Sequence, residues 1–145
     1  MRGSLSDERG AALIETVLVM SALLLLLGVT VAAGRILTAK SAALSVAREA
    51  ARVAVEQASA QEALRVGREI GDRNASGLGL DPARMELFQD ASDFGPRGQY
   101  VVVARYMVSL GDVPSFGLLP RSLVVEGRHV QLIDPYRGWP PGGAR

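Results

Sequence analysis

Cysteine is absent from this chain of 145 residues, which excludes disulfides and thiolate metal sites. Histidine is nearly absent: His129 is the single imidazole, set beside Arg128 and Val130 in an alternating strand pattern, where a solvated or satisfied ring is its ordinary role. Lysine is reduced to Lys40, and aromatic residues make up only 5%, with Trp139 the one tryptophan. Phosphate loops, dinucleotide fingerprints and zinc motifs are missing, and Gly77-Leu78-Gly79 carries no specificity by itself. Asp90 and Asp93 flank a turn, where paired acids solvate. No catalytic, cofactor-binding or metal-binding residues are read, and the expectation is a protein that is not an enzyme.

Strong net charge is lacking too. Sixteen basic residues oppose fifteen acidic ones. From Arg35 onward the balance is fourteen to twelve, because Arg2, Arg9, Asp7, Glu8 and Glu15 all precede it. Without a clustered basic face, nucleic acid is not an expected partner.

The absence with the largest consequence is local: residues 16–34 contain no charge. At about 1.5 Å per residue, a helix of that length approaches the ~30 Å hydrocarbon core of a bilayer. Five consecutive leucines, residues 23–27, are too apolar for a wet surface. Membrane lipid is the first partner this implies. At the head of the run stands Glu15. A carboxylate inside a span costs about 2.5–3.5 kcal/mol at its centre and less toward its end, so it marks a functional site by default.

Residues 1–10 form a polar leader and residues 11–34 the transmembrane helix. Residues 35–133 are expected to build one small domain, helical over 35–73 and a sheet over 84–133. Residues 134–145, rich in Pro and Gly, read as an irregular tail in which Trp139 is the one candidate for docking. Within the helical part, Arg48, Glu49, Arg52 and Glu56 mark the wet side. Leu44, Ala47, Ala51, Ala54 and Ala58 make a narrow small-residue stripe, open either to a partner helix or to the protein's own sheet. Ser59 and Glu62 have capping-box spacing, predicting a second helix over 60–73 that ends at the Asn74–Gly79 turn. Strands are predicted over 84–90, 99–110 and 122–133, the last bent or bulged near Gly127. Their connections are too short for crossover helices, so the sheet is antiparallel. The fold class is α+β: a long N-terminal transmembrane and amphipathic helix, a short helix, and about three strands.

With Gly10, Glu15 and the continuous helix in place, the segment ERGAALIETVLVMSALLLLLG resembles the N terminus of type IV pilin-like proteins. The following AREAARVAVEQ makes the chain most similar to the TadE-like family of pilus-assembly pseudopilins. The resemblance implies cutting between Gly10 and Ala11 by a prepilin peptidase. It also implies that Glu15, then fifth in the mature chain, meets the N-terminal amine of a neighbouring subunit and registers the two helices. Thr16 occupies a position where many family members carry an aromatic. The implied partners are other pilin-like subunits and the pilus-assembly machinery, and the implied site is the bacterial cell membrane or a surface pilus.

Two features bear on topology. Arg35, Lys40, Arg48 and Arg52 follow the span and outnumber Arg2 and Arg9 before it, so basic-residue counting alone puts the leader outside. The resemblance implies the reverse, with the leader cytoplasmic and the C-terminal domain extracytoplasmic, and this is the topology expected. A second function class is also open. Val31-Ala32-Ala33 has signal-peptidase spacing, and cleavage after Ala33 would release a secreted soluble binding domain beginning at Gly34.

Overall fold

The computed structural model describes residues 4–115 and 117–136, with side chains from Gly10 onward among those in the first helix. The first three residues and the tail beyond Tyr136, including Trp139, lie outside the described residues. The elements in order are α1 (Ser4–Ala54), α2 (Ala60–Gly77), a 3-10 turn (Pro82–Arg84), β1 (Met85–Asp93), β2 (Gln99–Ser109) and β3 (Ser122–Leu132). The strands form one antiparallel sheet in the order β1-β2-β3, so the architecture is α+β as the sequence predicts. Two compact units divide the chain. One holds Met1–Ile36 and Ser109–Leu123; the other holds Leu37–Val108 and Val124–Arg145.

The larger unit is built on small residues. Ala43, Val46, Ala47, Ala50, Ala51 and Ala54 of α1 are all fully buried. Alanine keeps side-chain entropy cost at zero and lets backbones approach, so stability here comes from many short dispersion contacts. Gly127 of β3 shows how close the approach is: a Cβ there would lie 2.3 Å from Leu44 N and 2.5 Å from Ala43 C. β3 runs on through the position, and glycine is needed because strand and helix backbones touch. In the pairing of β1 with β2, a register irregularity falls between Asp90 and Asp93.

The small-residue stripe of α1 is used by the protein's own domain and not by a partner helix. Its membership also shifts. Leu44 and Ala58 are exposed, whereas Ala43, Val46 and Ala50 are buried beside Ala47, Ala51 and Ala54. Ala58 falls beyond the helix end at Ala54, and Leu44 is turned about 100° round the axis from Ala43.

α2 repeats the device. Ala63, Gly67, Gly71 and Ala75, four residues apart, make its buried face, with Gly67 under Gln89 and Gly71 under Leu87. Ser59 caps the helix by accepting from the Glu62 N–H at 3.3 Å, but the Glu62 carboxylate turns to Arg65, so the capping box is half formed. The far end extends past Asn74 to Gly77. Asn74 and Ala75 keep helical geometry because the stop lies at Gly79, whose positive φ allows Gly79 N–H to reach Ser76 O and Leu80 N–H to reach Ala75 O.

Across the sheet, Leu87 faces Ala104 and Gln89 faces Val102 on the covered side, while Phe88 faces Val103 and Glu86 faces Arg105 on the other. Tyr100, Val102 and Ala104 complete the core. His129 is half-buried, with Nε2 3.2 Å from Gln131 Oε1.

The smaller unit contains the N-terminal part of α1 and the β2–β3 connection, residues 110–121. Its described residues, 110–115 and 117–121, lie along the helix as a strap. Leu110 N–H donates to Arg121 O at 2.8 Å and closes its neck. Arg35 grips Asp112 with both guanidinium nitrogens, at 2.6 and 2.8 Å. Farther along, the strap rests on Gly28, where a Cβ would fall 2.0 Å from Pro114 O.

Candidate functional site

The helix segment around Glu15 shows what its residues must satisfy. From Ala11 to Leu24 every side chain is exposed, including Leu13, Ile14, Val17, Leu18 and Leu23. A helix apolar on all sides and covered on none has no place in water. Gly10–Ala54 contains a window of mean hydropathy 2.5, of which only 11% is buried. Lipid is the solvent that fits it.

Lipid also requires every polar group to be satisfied internally. The hydroxyls obey. Thr16 Oγ1 donates to Ala12 O, Ser21 Oγ to Val17 O and Thr30 Oγ1 to Leu26 O, each at 2.8 Å. Glu15 is the exception: it is exposed and has no hydrogen bond or ion pair among the described residues. With Thr16, Val19, Met20 and Leu23 it lines a shallow hollow along one side of the helix.

Gly10 lies five residues before Glu15 in the same unbroken helix. Nothing stands within 4 Å of a Cβ placed there. Mid-helix glycine costs about 1 kcal/mol relative to alanine, and neither packing nor backbone conformation requires it at this position.

One constellation escaped the sequence reading: Gly28, Arg35 and Asp112. The Arg35 guanidinium holds the Asp112 carboxylate below its usual range, chiefly through the hydrogen bonds, and Asp112 raises Arg35 in return. Twelve residues rich in Gly and Pro between two strands were the available signal, because a tight hairpin needs far fewer. Among the described residues, no three His, Asp or Glu side chains converge as metal ligands would.

The fold and this segment define a class: a small α+β domain carried by one long apolar helix that fits a single-pass membrane anchor. Within that class, residues 10–52 match the family model described as TadE-like protein, so the chain is similar to that family over that segment. The match spans Gly10, Glu15 and most of α1; α2 and the sheet lie beyond it. No curated protein and no solved structure matches the chain.

Proposed function

We propose that the protein is a membrane-anchored minor pilin, pseudopilin or assembly component of a Tad-type pilus, and that it works by helix packing. The observation that carries this reading is Glu15, a carboxylate without a partner among the described residues, on an apolar segment where the hydroxyls of Thr16, Ser21 and Thr30 are returned to their own backbone. A buried carboxylate is tolerable when a cation neutralises it, and one such contact fixes the register of two helices. The terminal amine of a neighbouring subunit, freed by cutting between Gly10 and Ala11, supplies that cation. Gly10 supports the cut, since a glycine with no structural task in its helix is accounted for by recognition in a peptidase. In this reading the leader is cytoplasmic and the domain extracytoplasmic.

Release after Ala33 is the competing reading. It would sever α1 between the buried Ala32 and Arg35, removing Gly28 from beneath the strap. N-terminal sequencing of protein from membrane and medium separates the two. A start at Ala11 is expected; a start at Gly34 would replace the proposal with secretion, and one at Met1 would remove the processing step. Glu15→Ala should abolish incorporation into the pilus or its assembly complex while leaving membrane insertion intact. Unchanged incorporation would sink the registration role.

A further inference from the structure

The strap descends the helix toward its apolar end. Asp112 is held at Arg35, and two residues later Pro114 lies on Gly28, seven helix positions nearer the N terminus. Seven positions are about 10 Å along the axis. The strap then reverses in a turn in which Leu118 N–H donates to Ser115 O at 2.9 Å, with Gly117 at positive φ, and it returns to the neck at Arg121.

Two levels result. The neck is charged, with the Arg35–Asp112 pair and with Arg121, which has no ion-pair partner among the described residues. Nearer the tip the chemistry is apolar. Leu118 is 71% exposed, and Val29 and Val31 of the helix, at the depth the strap reaches, are 45% and 39% exposed. Val113 and Leu110 are buried, so the strap is seated, while Leu118 is a large apolar side chain left outward.

An outward leucine alone needs no explanation. Here it belongs to a segment anchored at Gly28, inside the uncharged run that continues to Gly34. If water reached the helix at Gly28, Val29 and Val31 would be wetted together with Leu118. If lipid reaches it, all three are covered, and the first charges, Arg35 and Asp112, fall at headgroup level. Arginine suits that level because its stem lies along apolar surface while its head stays wet.

We infer that the described residues of this connection, 110–115 and 117–121, are a lipid-contacting strap, whose tip, marked by Leu118, enters the boundary between headgroups and acyl chains while its neck stays among the headgroups. This rests on α1 being the membrane anchor. A penetration of about 5–10 Å is what interfacial elements reach, and it agrees with the descent from Asp112 to Pro114. The strap then limits the depth to which the helix can be drawn, and the segment bare on every side, from Ala11 to Leu24, holds Glu15 near its far end.

The chain has no cysteine, so a single one can be placed and labelled. Leu118→Cys, Leu23→Cys and Ser76→Cys, each carrying an environment-sensitive nitrobenzoxadiazole label, are reconstituted as full chains in phosphatidylcholine–phosphatidylglycerol vesicles. Nitroxides placed shallowly on the acyl chains and aqueous iodide serve as quenchers. The expected result at Leu118→Cys is blue-shifted emission, strong loss with the shallow nitroxide and little with iodide. Leu23→Cys should be lipid-quenched and Ser76→Cys iodide-quenched. Leu118→Cys behaving like Ser76→Cys while Leu23→Cys stays in lipid would overturn the strap and leave the anchor standing. Loss of lipid quenching at Leu23→Cys would overturn both. Shielding of Leu118→Cys from both quenchers, relieved on diluting the protein in lipid, would assign the tip to a second copy and also overturn the inference.

Discussion

Tyr100 is the residue on which the larger unit's polar accounting turns. Its ring is fully buried, and its hydroxyl donates to Gln89 Oε1 at 2.6 Å, with Ala63 O 3.3 Å away. Gln89 in turn donates from Nε2 to Leu64 O at 3.1 Å, so one side-chain pair ties β1 and β2 to α2. Burial pushes the phenol up to about 12, against a small opposing pull from Arg68. Only the neutral phenol fits, and the folded value lies above the unfolded one near 10, so its stabilisation is complete below about pH 10 and is lost as pH rises through about 12. Urea unfolding of the full chain in detergent should show that alkaline loss, and Tyr100→Phe should remove it. At neutral pH the same variant should lose about 1–2 kcal/mol, because Gln89 Oε1 is left without its donor. Identical pH profiles for the two proteins would refute the assignment. Gly127 makes a steric counterpart. Alanine there must displace the Ala43–Leu44 backbone, and Gly127→Ala should cost about 3 kcal/mol or more in the same assay.

Among elements, the strap and α1 make a pair whose strength can be separated from that of the sheet. Gly28→Ala should gain about 1 kcal/mol of helix propensity, yet its Cβ would sit 2.0 Å from Pro114 O, so the strap has to lift. Proteolysis in detergent should then be faster within residues 110–121, while the thermal transition of the larger unit is unchanged, since none of its core residues belongs to the strap. Cleavage as slow as in the parent chain would show that Pro114 yields without letting go. Asp112 adds a pH dependence of known sign. Arg35 lowers its carboxyl relative to the unfolded chain, so the pair's contribution is present above the ordinary carboxylate range and disappears as pH falls through that lowered value. Neither effect was legible in the sequence, for a physical reason. Periodicity reports which face of an element is apolar, but the seat of an irregular loop depends on a distant glycine, and Gly28 reads as one more small residue in a membrane span. Glu15 stands out in the sequence because it breaks a pattern; Arg35 and Asp112 break none.

For the molecule as a whole, helix and strand periods were enough to recover the α+β layout. The strands begin and end within a few residues of their predicted bounds, because alternation such as Met85-Glu86-Leu87-Phe88-Gln89 follows from a sheet covered on one side. What alternation could not tell was which alanines of α1 face the sheet, since alanine is compatible with every environment; Gly127 and the neighbouring Ala43 decide it in three dimensions. The same arrangement predicts how the chain divides. Every buried α1 residue of the larger unit lies at Ala39 or later, and Leu37–Ala54 still gives that unit a five-turn helix. A fragment beginning at Leu37 therefore keeps the core intact while losing the bare apolar helix and the strap's seat at Gly28. Val113, which lies beside Gly28, would be uncovered at about 1.5–3 kcal/mol of transfer free energy, a cost confined to the loop. The fragment should stay in solution without detergent and melt in one cooperative transition followed by circular dichroism, with amide protection lost only around residues 110–121. A broad transition with dye-binding apolar surface would mean instead that the larger unit depends on the first thirty-six residues for its packing, and that the two units fold as one.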